Sequence, residues 1–190
     1  LGFFGKVWLG ALVRPSVRRY AALGQQPRVS AWKAYLWVFA AGMIGGAINA
    51  LSPFITQPAD LRYVDLLLLA LIPVSALLAA GALAAFAGCA QVIARLLKGT
   101  GTQRELAYVF AAFSAPLLIV ASIVDLIPPA RVLLIILYLY WMVLYVMAVR
   151  AVNGISRLKA AMAVLAALLI LGLAWLGLAF IAGSWGVLLP

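Results

Sequence analysis

Residues 66–94 read LLLLALIPVSALLAAGALAAFAGCAQVIA, a run of 29 residues without a charged side chain. A helix needs about 20 apolar residues to cross a hydrocarbon core about 30 Å thick. This run is longer than that, so a helix built from it must tilt or kink, and Pro73 near its start favours a kink. The run therefore predicts a transmembrane helix.

Four other apolar stretches without charges predict further spans, at about residues 34–51, 106–124, 132–149 and 160–183. The composition agrees, since 68% of the 190 residues are apolar and 9% are charged. Average soluble domains have roughly 45–50% and about 25%. We therefore expect an all-α integral membrane protein, with a bundle of five transmembrane helices over residues 32–190. Ser52, Pro53 and Pro58 are expected to break the helix after the first span.

Residues 1–31 differ from the rest because apolar, aromatic and basic side chains alternate there. Pro15 is expected to end a first short helix, and Ser16 and Gly24 to cap the two ends of a second. Both helices are too short to span a membrane, which predicts N-terminal interfacial amphipathic helices that lie on its surface. The alternative interpretation is a partly disordered leader.

The basic residues predict the orientation of the five spans. Six Lys and Arg residues precede the first span, three follow the second and three follow the fourth, whereas the loops on the other side hold two. Basic loops remain on the cytoplasmic side of a membrane. We therefore expect a protein of the cell (inner) membrane with a cytoplasmic N-terminus and an outside C-terminus. Because these charges lie between spans, we do not expect a nucleic-acid partner.

Short motifs spread along the chain resemble the Yip family of five-span membrane proteins, which are named for Ypt/Rab interaction. They are Arg14-Pro15 followed by Tyr20 and Leu23, the turn Gly99-Thr100-Gly101, the span segment Phe113-Ser114-Ala115-Pro116, and the stretch from Val149 through Asn153-Gly154 to Lys159-Ala160. The chain is most similar to bacterial members. The resemblance implies a helical bundle that organises membranes or partner proteins and has no known catalytic residues.

Small residues on two spans are candidates for a helix-packing interface. They are Gly42, Gly45 and Gly46 on the first span, and Ala80, Ala84 and Gly88 on the second. Small residues at this spacing let two helix backbones approach closely. The interface is either with a partner or with other helices of this chain.

Two further clusters are candidate binding surfaces. Tyr138, Trp141 and Tyr145 share one face of the fourth span, where they form either a groove for a lipid or another hydrophobic ligand, or an aromatic packing face. A cytoplasmic patch for anionic lipid or an acidic partner is predicted from eight basic residues, Arg14, Arg18, Arg19, Arg95, Lys98, Arg150, Arg157 and Lys159. The alternative is that these charges only set the orientation.

The sequence offers few groups for catalysis or ion transport. It has no histidine, and no acid or base lies in the middle of a span, where ionisable groups usually mark ion pathways. We therefore expect no catalytic residue, no metal and no cofactor. The predicted function is a non-catalytic scaffold or accessory subunit of a bacterial inner-membrane assembly. Its expected partners are membrane lipids, including anionic lipid, and other membrane proteins. The alternative is a small lipid- or solute-handling transporter.

Overall fold

The computed structural model describes the backbone of residues 2–26, 29–56 and 66–188, and the side chains of residues 7–26, 29–51 and 70–180. The described residues form seven α-helices: α1 (Gly2–Val13), α2 (Val17–Gly24), α3 (Ala31–Thr56), α4 (Leu66–Leu96), α5 (Gln103–Asp125), α6 (Val132–Asn153) and α7 (Arg157–Leu188). A single 3-10 turn, Pro128–Arg131, joins α5 to α6. The expected all-α architecture is confirmed.

Five of these helices, α3 to α7, are long and apolar enough to cross a membrane. They coincide with the five predicted spans, so the protein is an integral membrane protein. One predicted boundary is wrong, because α3 continues through Ser52 and Pro53 to Thr56, whereas Pro58 lies outside the described residues. Proline removes one backbone hydrogen bond, and membrane helices tolerate that loss more readily than soluble ones.

Helix α5 is the centre of the bundle. Eleven of its residues are buried, namely all those from Leu106 to Ala115 together with Leu117. Its first turn is held by a capping box, in which the Thr102 hydroxyl accepts from the Glu105 N–H and the Glu105 carboxylate accepts from the Thr102 N–H. This pairing satisfies two backbone donors that a helix start leaves free.

The glycines of α3 lie against other helices of the same chain. A Cβ added at Gly42 would lie 2.7 Å from the Ala76 Cα of α4, and one at Gly45 would lie 2.6 Å from the Ser122 Oγ of α5. One at Gly46 would contact the Ser75 Oγ of α4. These glycines therefore serve packing inside the bundle.

The second small-residue stripe, on α4, lies at the margin of the core. Ala80, Ala84 and Gly88 are half-buried, whereas the α4 residues that enter the core are others, such as Phe86 and Ala87. A Cβ added at Gly88 would lie 3.4 Å from the Gln103 side chain, which is ordinary contact. Gly88 therefore does not mark a close helix crossing within the described part of the chain.

The two N-terminal helices pack on the bundle rather than apart from it. Ala11, Tyr20 and Leu23 belong to the same buried core as α5. The Tyr20 ring lies 5.9 Å from the Phe113 ring, centroid to centroid. Phe113 is ten residues into α5, or about 15 Å along it, so α2 extends well past the helix ends along the side of the bundle. Ser16 caps α2 as predicted, accepting from the Arg19 N–H at 3.2 Å.

Three side chains satisfy the carbonyls at the end of α1. Tyr20 donates its hydroxyl to the Ala11 carbonyl at 2.8 Å, and Tyr140 of α6 donates to the Leu12 carbonyl. The Arg19 guanidinium donates to the Gly10 carbonyl at 2.9 Å. A helix end leaves its last four carbonyls without partners, so these contacts fix α1 to α2 and α6.

Candidate functional site

A pair of buried amides joins α4 to α6. The Gln91 Nε2 donates to the Asn153 Oδ1 at 2.9 Å, and the Asn153 Nδ2 donates back to the Gln91 Oε1 at 3.2 Å. Gln91 Nε2 also donates to the Gly101 carbonyl at 2.6 Å. Both side chains are almost fully buried, with 3% and 2% of their surface exposed. We call this arrangement the amide clasp: Gln91, Asn153 and the Gly101 carbonyl.

The clasp holds the loop between α4 and α5, residues 97–102, against the end of α6. The Thr100 N–H donates to the Asn153 carbonyl at 3.2 Å, and the Gly99 N–H donates to the Ala94 carbonyl at 2.8 Å. A Cβ at Gly101 would lie 2.6 Å from the Val152 carbonyl oxygen. The two glycines are therefore required because two backbones approach each other closely here.

A tight turn between α6 and α7 lies beside this loop. Gly154 adopts a left-handed conformation with φ 65°, and its N–H donates to the Arg150 carbonyl at 3.0 Å. Such a glycine ends many helices, since other residues are strained there. Lys159 Nζ lies 3.5 Å from the Leu97 carbonyl and links the turn to the α4–α5 loop. We call this end of the bundle, formed by residues 97–102 and 154–156, the basic end.

All eight residues of the predicted basic patch are exposed, namely Arg14, Arg18, Arg19, Arg95, Lys98, Arg150, Arg157 and Lys159. Among the described residues, the one ion pair is Arg131 Nε to Asp125 Oδ1 at 3.1 Å, on the α5–α6 connection. The patch therefore has no carboxylate partner within the described part of the chain. Arg19 differs from the others, because its guanidinium already donates a hydrogen bond to the Gly10 carbonyl at the end of α1.

The predicted aromatic cluster forms one wall of a groove between α4, α5, α6 and α7. The rings of Tyr138 and Trp141 stack at 6.3 Å, as do those of Trp141 and Tyr145. The groove has a volume of about 360 Å³, and apart from Ser114 the rest of its lining is apolar, with Phe86 and Leu168 among these side chains. Its volume lies within the usual range for small-molecule sites, about 300–1,000 Å³.

The polar atoms of this groove are hydrogen-bonded to one another. Ser114 Oγ accepts from Trp141 Nε1 at 3.0 Å and lies 3.1 Å from the Tyr145 hydroxyl. The Tyr145 ring is also surrounded by Phe86, Phe110 and Phe113, at centroid distances of 4.6 to 5.2 Å. Tyr145 is thus part of the packing core, whereas Tyr138 is half exposed. The cluster is therefore an aromatic packing face at Tyr145 and a wall of the groove at Tyr138, and ligand binding in this groove stays a prediction.

The clasp was not anticipated from the sequence. Gln91 and Asn153 are separated by 62 positions. The available signal was that each is a strongly polar residue at the end of a long apolar helix, where an amide needs a partner. The glycine turn and the Asn153-Gly154 segment, which carried the family resemblance separately, contact each other through this clasp.

Comparison with known proteins gives one informative match. No curated protein and no solved structure matches the chain significantly. A family model, the Yip1 domain, matches residues 9–179 and so includes α2 to α6, the clasp and both glycine turns. Because the match covers most of the chain, this protein belongs to the Yip1 domain family.

Proposed function

We propose that this protein is a non-catalytic scaffold or accessory subunit of an inner-membrane assembly, and that its basic end faces the cytoplasm. The observation that carries the proposal is that the buried hydrogen bonds of the amide clasp fix the α4–α5 loop, which carries Lys98, against the end of α6, which carries Arg150. Gln91 and Asn153 hold the α4–α5 loop on α6, and Lys159 links it to α7. Arg95, Lys98 and Arg150 are therefore held in defined relative positions at the same end.

A fixed basic surface is better suited to binding anionic lipid or an acidic protein segment than to catalysing a reaction. Each cation close to an anionic leaflet contributes about 1 kcal/mol of attraction, which falls off within a Debye length. The same surface attracts an acidic segment of a neighbouring protein. The positive-inside bias, with twelve basic residues on one side and two on the other, supports a cytoplasmic location for this end.

Site-specific photo-crosslinking in cells tests the scaffold role. A photoreactive residue at Thr100, which is exposed on the basic end, is compared with one at Ile127, which is exposed on the α5–α6 connection. We expect a discrete, stoichiometric protein adduct from Thr100, reduced when Arg95 and Lys98 are both changed to Gln. Absence of any adduct from the basic end, together with purification of a lone monomer, would count against the scaffold.

The aromatic groove supports a second candidate, a lipid- or solute-handling protein. Its wall of Tyr138, Trp141 and Tyr145 faces a cavity large enough for a small hydrophobic molecule. Mass spectrometry of the purified protein distinguishes the two functions. A single bound hydrophobic compound that is lost on Leu168→Trp, a change that fills the groove, favours the carrier. The same compound content in both proteins favours the scaffold.

A further inference from the structure

We infer that a groove between α2, α6 and α7 is a specific site for one anionic phospholipid, with Arg150 and Arg157 binding its phosphate. This inference rests on the proposed function, because it needs the basic end to lie at the headgroup level of an anionic leaflet. The inference adds to the proposed function a groove of defined shape, in place of a diffuse basic surface, and names its ligand as an anionic phospholipid.

The groove has a volume of about 470 Å³ and two chemically distinct parts. Arg150 and Arg157 line one part, and both side chains are exposed. Apolar side chains line the rest, with Val17 from α2, Met142 and Val146 from α6, and Ala161 from α7. A phospholipid has the same division into a charged headgroup and an apolar chain.

The α6–α7 turn brings Arg150 and Arg157 to the lining of the same groove. Arg150 occupies the last turn of α6 and Arg157 is the first residue of α7, with the left-handed Gly154 between them. A cation at the end of a helix is favoured by the helix dipole, but a cation at the start is not. Arg157 therefore gains no stabilisation from the dipole of α7, whereas an anion bound beside it would be favoured by the helix start.

The neighbouring cations are engaged differently. Lys159 Nζ lies within hydrogen-bonding distance of the Leu97 carbonyl, and Arg19 serves the end of α1. Arg150 and Arg157 have no carboxylate within salt-bridge distance in the described part of the chain. Guanidinium groups bind phosphate through two parallel hydrogen bonds, which makes Arg the usual residue for this ligand.

The apolar wall distinguishes a lipid from a soluble anion. From Arg150 to Met142 the groove follows α6 for eight residues, about 12 Å toward the membrane centre. A free phosphate or a soluble acidic metabolite would leave this wall uncovered, whereas an acyl chain covers it. A zwitterionic lipid fills the groove equally well but carries no net charge for the two cations. The occupant that satisfies both parts is an anionic phospholipid.

Native mass spectrometry tests this inference on the full-length protein in detergent. The protein is titrated with phosphatidylglycerol, with phosphatidylcholine of the same acyl chains, and with inorganic phosphate. We expect one tightly bound phosphatidylglycerol per chain, weaker binding of phosphatidylcholine, and no displacement by phosphate. Arg150→Gln/Arg157→Gln should weaken phosphatidylglycerol binding roughly 30-fold, the factor expected for two lost contacts between cations and an anionic headgroup.

Three further variants make the result specific. Arg95→Gln/Lys98→Gln removes the same charge from the same end but outside the groove, and should weaken binding far less than the groove pair does, because these two side chains do not line the groove and no anionic leaflet is present in detergent. Ala161→Phe keeps the charge and fills the groove, and should lose the lipid, whereas Leu165→Phe on the exposed side of α7 should keep it. Thermal unfolding of each variant verifies that it is folded.

The outcomes separate the site from the wider proposal. If both charge-removing pairs weaken binding equally and Ala161→Phe has no effect, the lipid site is wrong and the diffuse basic surface remains. If inorganic phosphate competes as well as the lipid does, the groove binds an anion and not a lipid, which also overturns the inference. If no variant and no salt concentration alters lipid retention, both the site and the lipid-binding role of the basic end fail.

Discussion

Gln91 and Asn153 hydrogen-bond to each other through both of their side-chain amides, at 2.9 and 3.2 Å, in the buried interface between α4 and α6. Gln91 also binds the Gly101 carbonyl, so this one pair connects two helices and a loop. Asn153 has a further bond to the Val149 carbonyl of its own helix at 3.2 Å. Each of the four polar side-chain atoms of Gln91 and Asn153 therefore makes at least one hydrogen bond.

Removal of either amide should destabilise the protein. Gln91→Leu removes the side-chain donor to the Asn153 Oδ1 and to the Gly101 carbonyl, at a cost of about 1–3 kcal/mol. Thermal unfolding in detergent measures this cost, with the exposed Gln103→Leu as the control. In a cycle with Asn153→Leu we expect a coupling energy of about 0.6–1.7 kcal/mol, the range for interhelical hydrogen bonds in membranes. If the losses of unfolding free energy in the two single variants add up to the loss in the double variant, the two side chains do not stabilise the protein through their mutual hydrogen bonds.

Gly101→Ala should be among the most damaging single-methyl changes in the loop. The new Cβ would lie 2.6 Å from the Val152 carbonyl oxygen, which belongs to the backbone and has no side-chain freedom to move away. We expect a loss of about 1–3 kcal/mol in stability, the usual cost of overpacking. Gly81→Ala is the control, because nothing lies within 4 Å of its added Cβ. Equal melting temperatures for the two variants would contradict the close approach of loop and α6.

Gly42→Ala distinguishes packing inside the chain from packing on a partner. Its Cβ would lie 2.7 Å from the Ala76 Cα, so α3 and α4 must move apart. We expect Gly42→Ala to lower the melting temperature of the single chain. Gly172→Ala is the control and should leave the melting temperature unchanged, because nothing lies within 4 Å of its added Cβ on α7. An unaltered melting temperature combined with loss of an oligomer in size-exclusion chromatography would instead assign Gly42 to a contact between chains.

Tyr20 should make the protein sensitive to alkaline pH. Burial, and secondarily the nearby Tyr140, raise the pKa of the Tyr20 hydroxyl above its ordinary value of 10. The folded protein therefore keeps this proton where the unfolded chain releases it. Its contribution to stability is complete below pH 10 and falls as the pH rises above that value. Tyr20→Phe lacks this dependence and the bond to Ala11.

The measurement is the unfolding midpoint of both proteins between pH 8 and about pH 11. We expect Tyr20→Phe to be less stable at pH 8, by about 0.5–1.5 kcal/mol for one lost hydrogen bond. The difference should narrow above pH 10, because the wild type alone must retain the Tyr20 proton. A constant difference across this range would show that Tyr20 does not titrate differently in the folded state.

The five spans were predictable from the sequence because a long uncharged run has few alternatives to a membrane helix. The stretch 66–94 and helix α4, Leu66–Leu96, differ by two residues at one end. The aromatic face of α6 was also predictable, since Tyr138, Trp141 and Tyr145 lie on one side of any helix. These features depend on local periodicity or hydropathy alone.

Features that depend on tertiary partners were not predictable in the same way. No local pattern indicates that Gln91 meets Asn153, or that Ser114 meets both Trp141 and Tyr145. The close packing of Tyr20 on Phe113 was missed for a related reason. The basic composition of the segment suggested a membrane surface, whereas Ala11 of α1 and Tyr20 and Leu23 of α2 are buried against the bundle.

The most direct test of the proposed function asks on which side of the membrane the basic end lies. In a Cys89→Ala background, single cysteines replace Thr100 and Ser156 at the basic end, and Ile127 at the α5–α6 connection. An impermeant thiol reagent is applied to intact cells and then to permeabilised ones. We expect the cysteine at position 127 to react in intact cells, and those at 100 and 156 to react only after permeabilisation. Reaction of the cysteine at position 156 in intact cells would contradict both the orientation and a cytoplasmic role for the basic end.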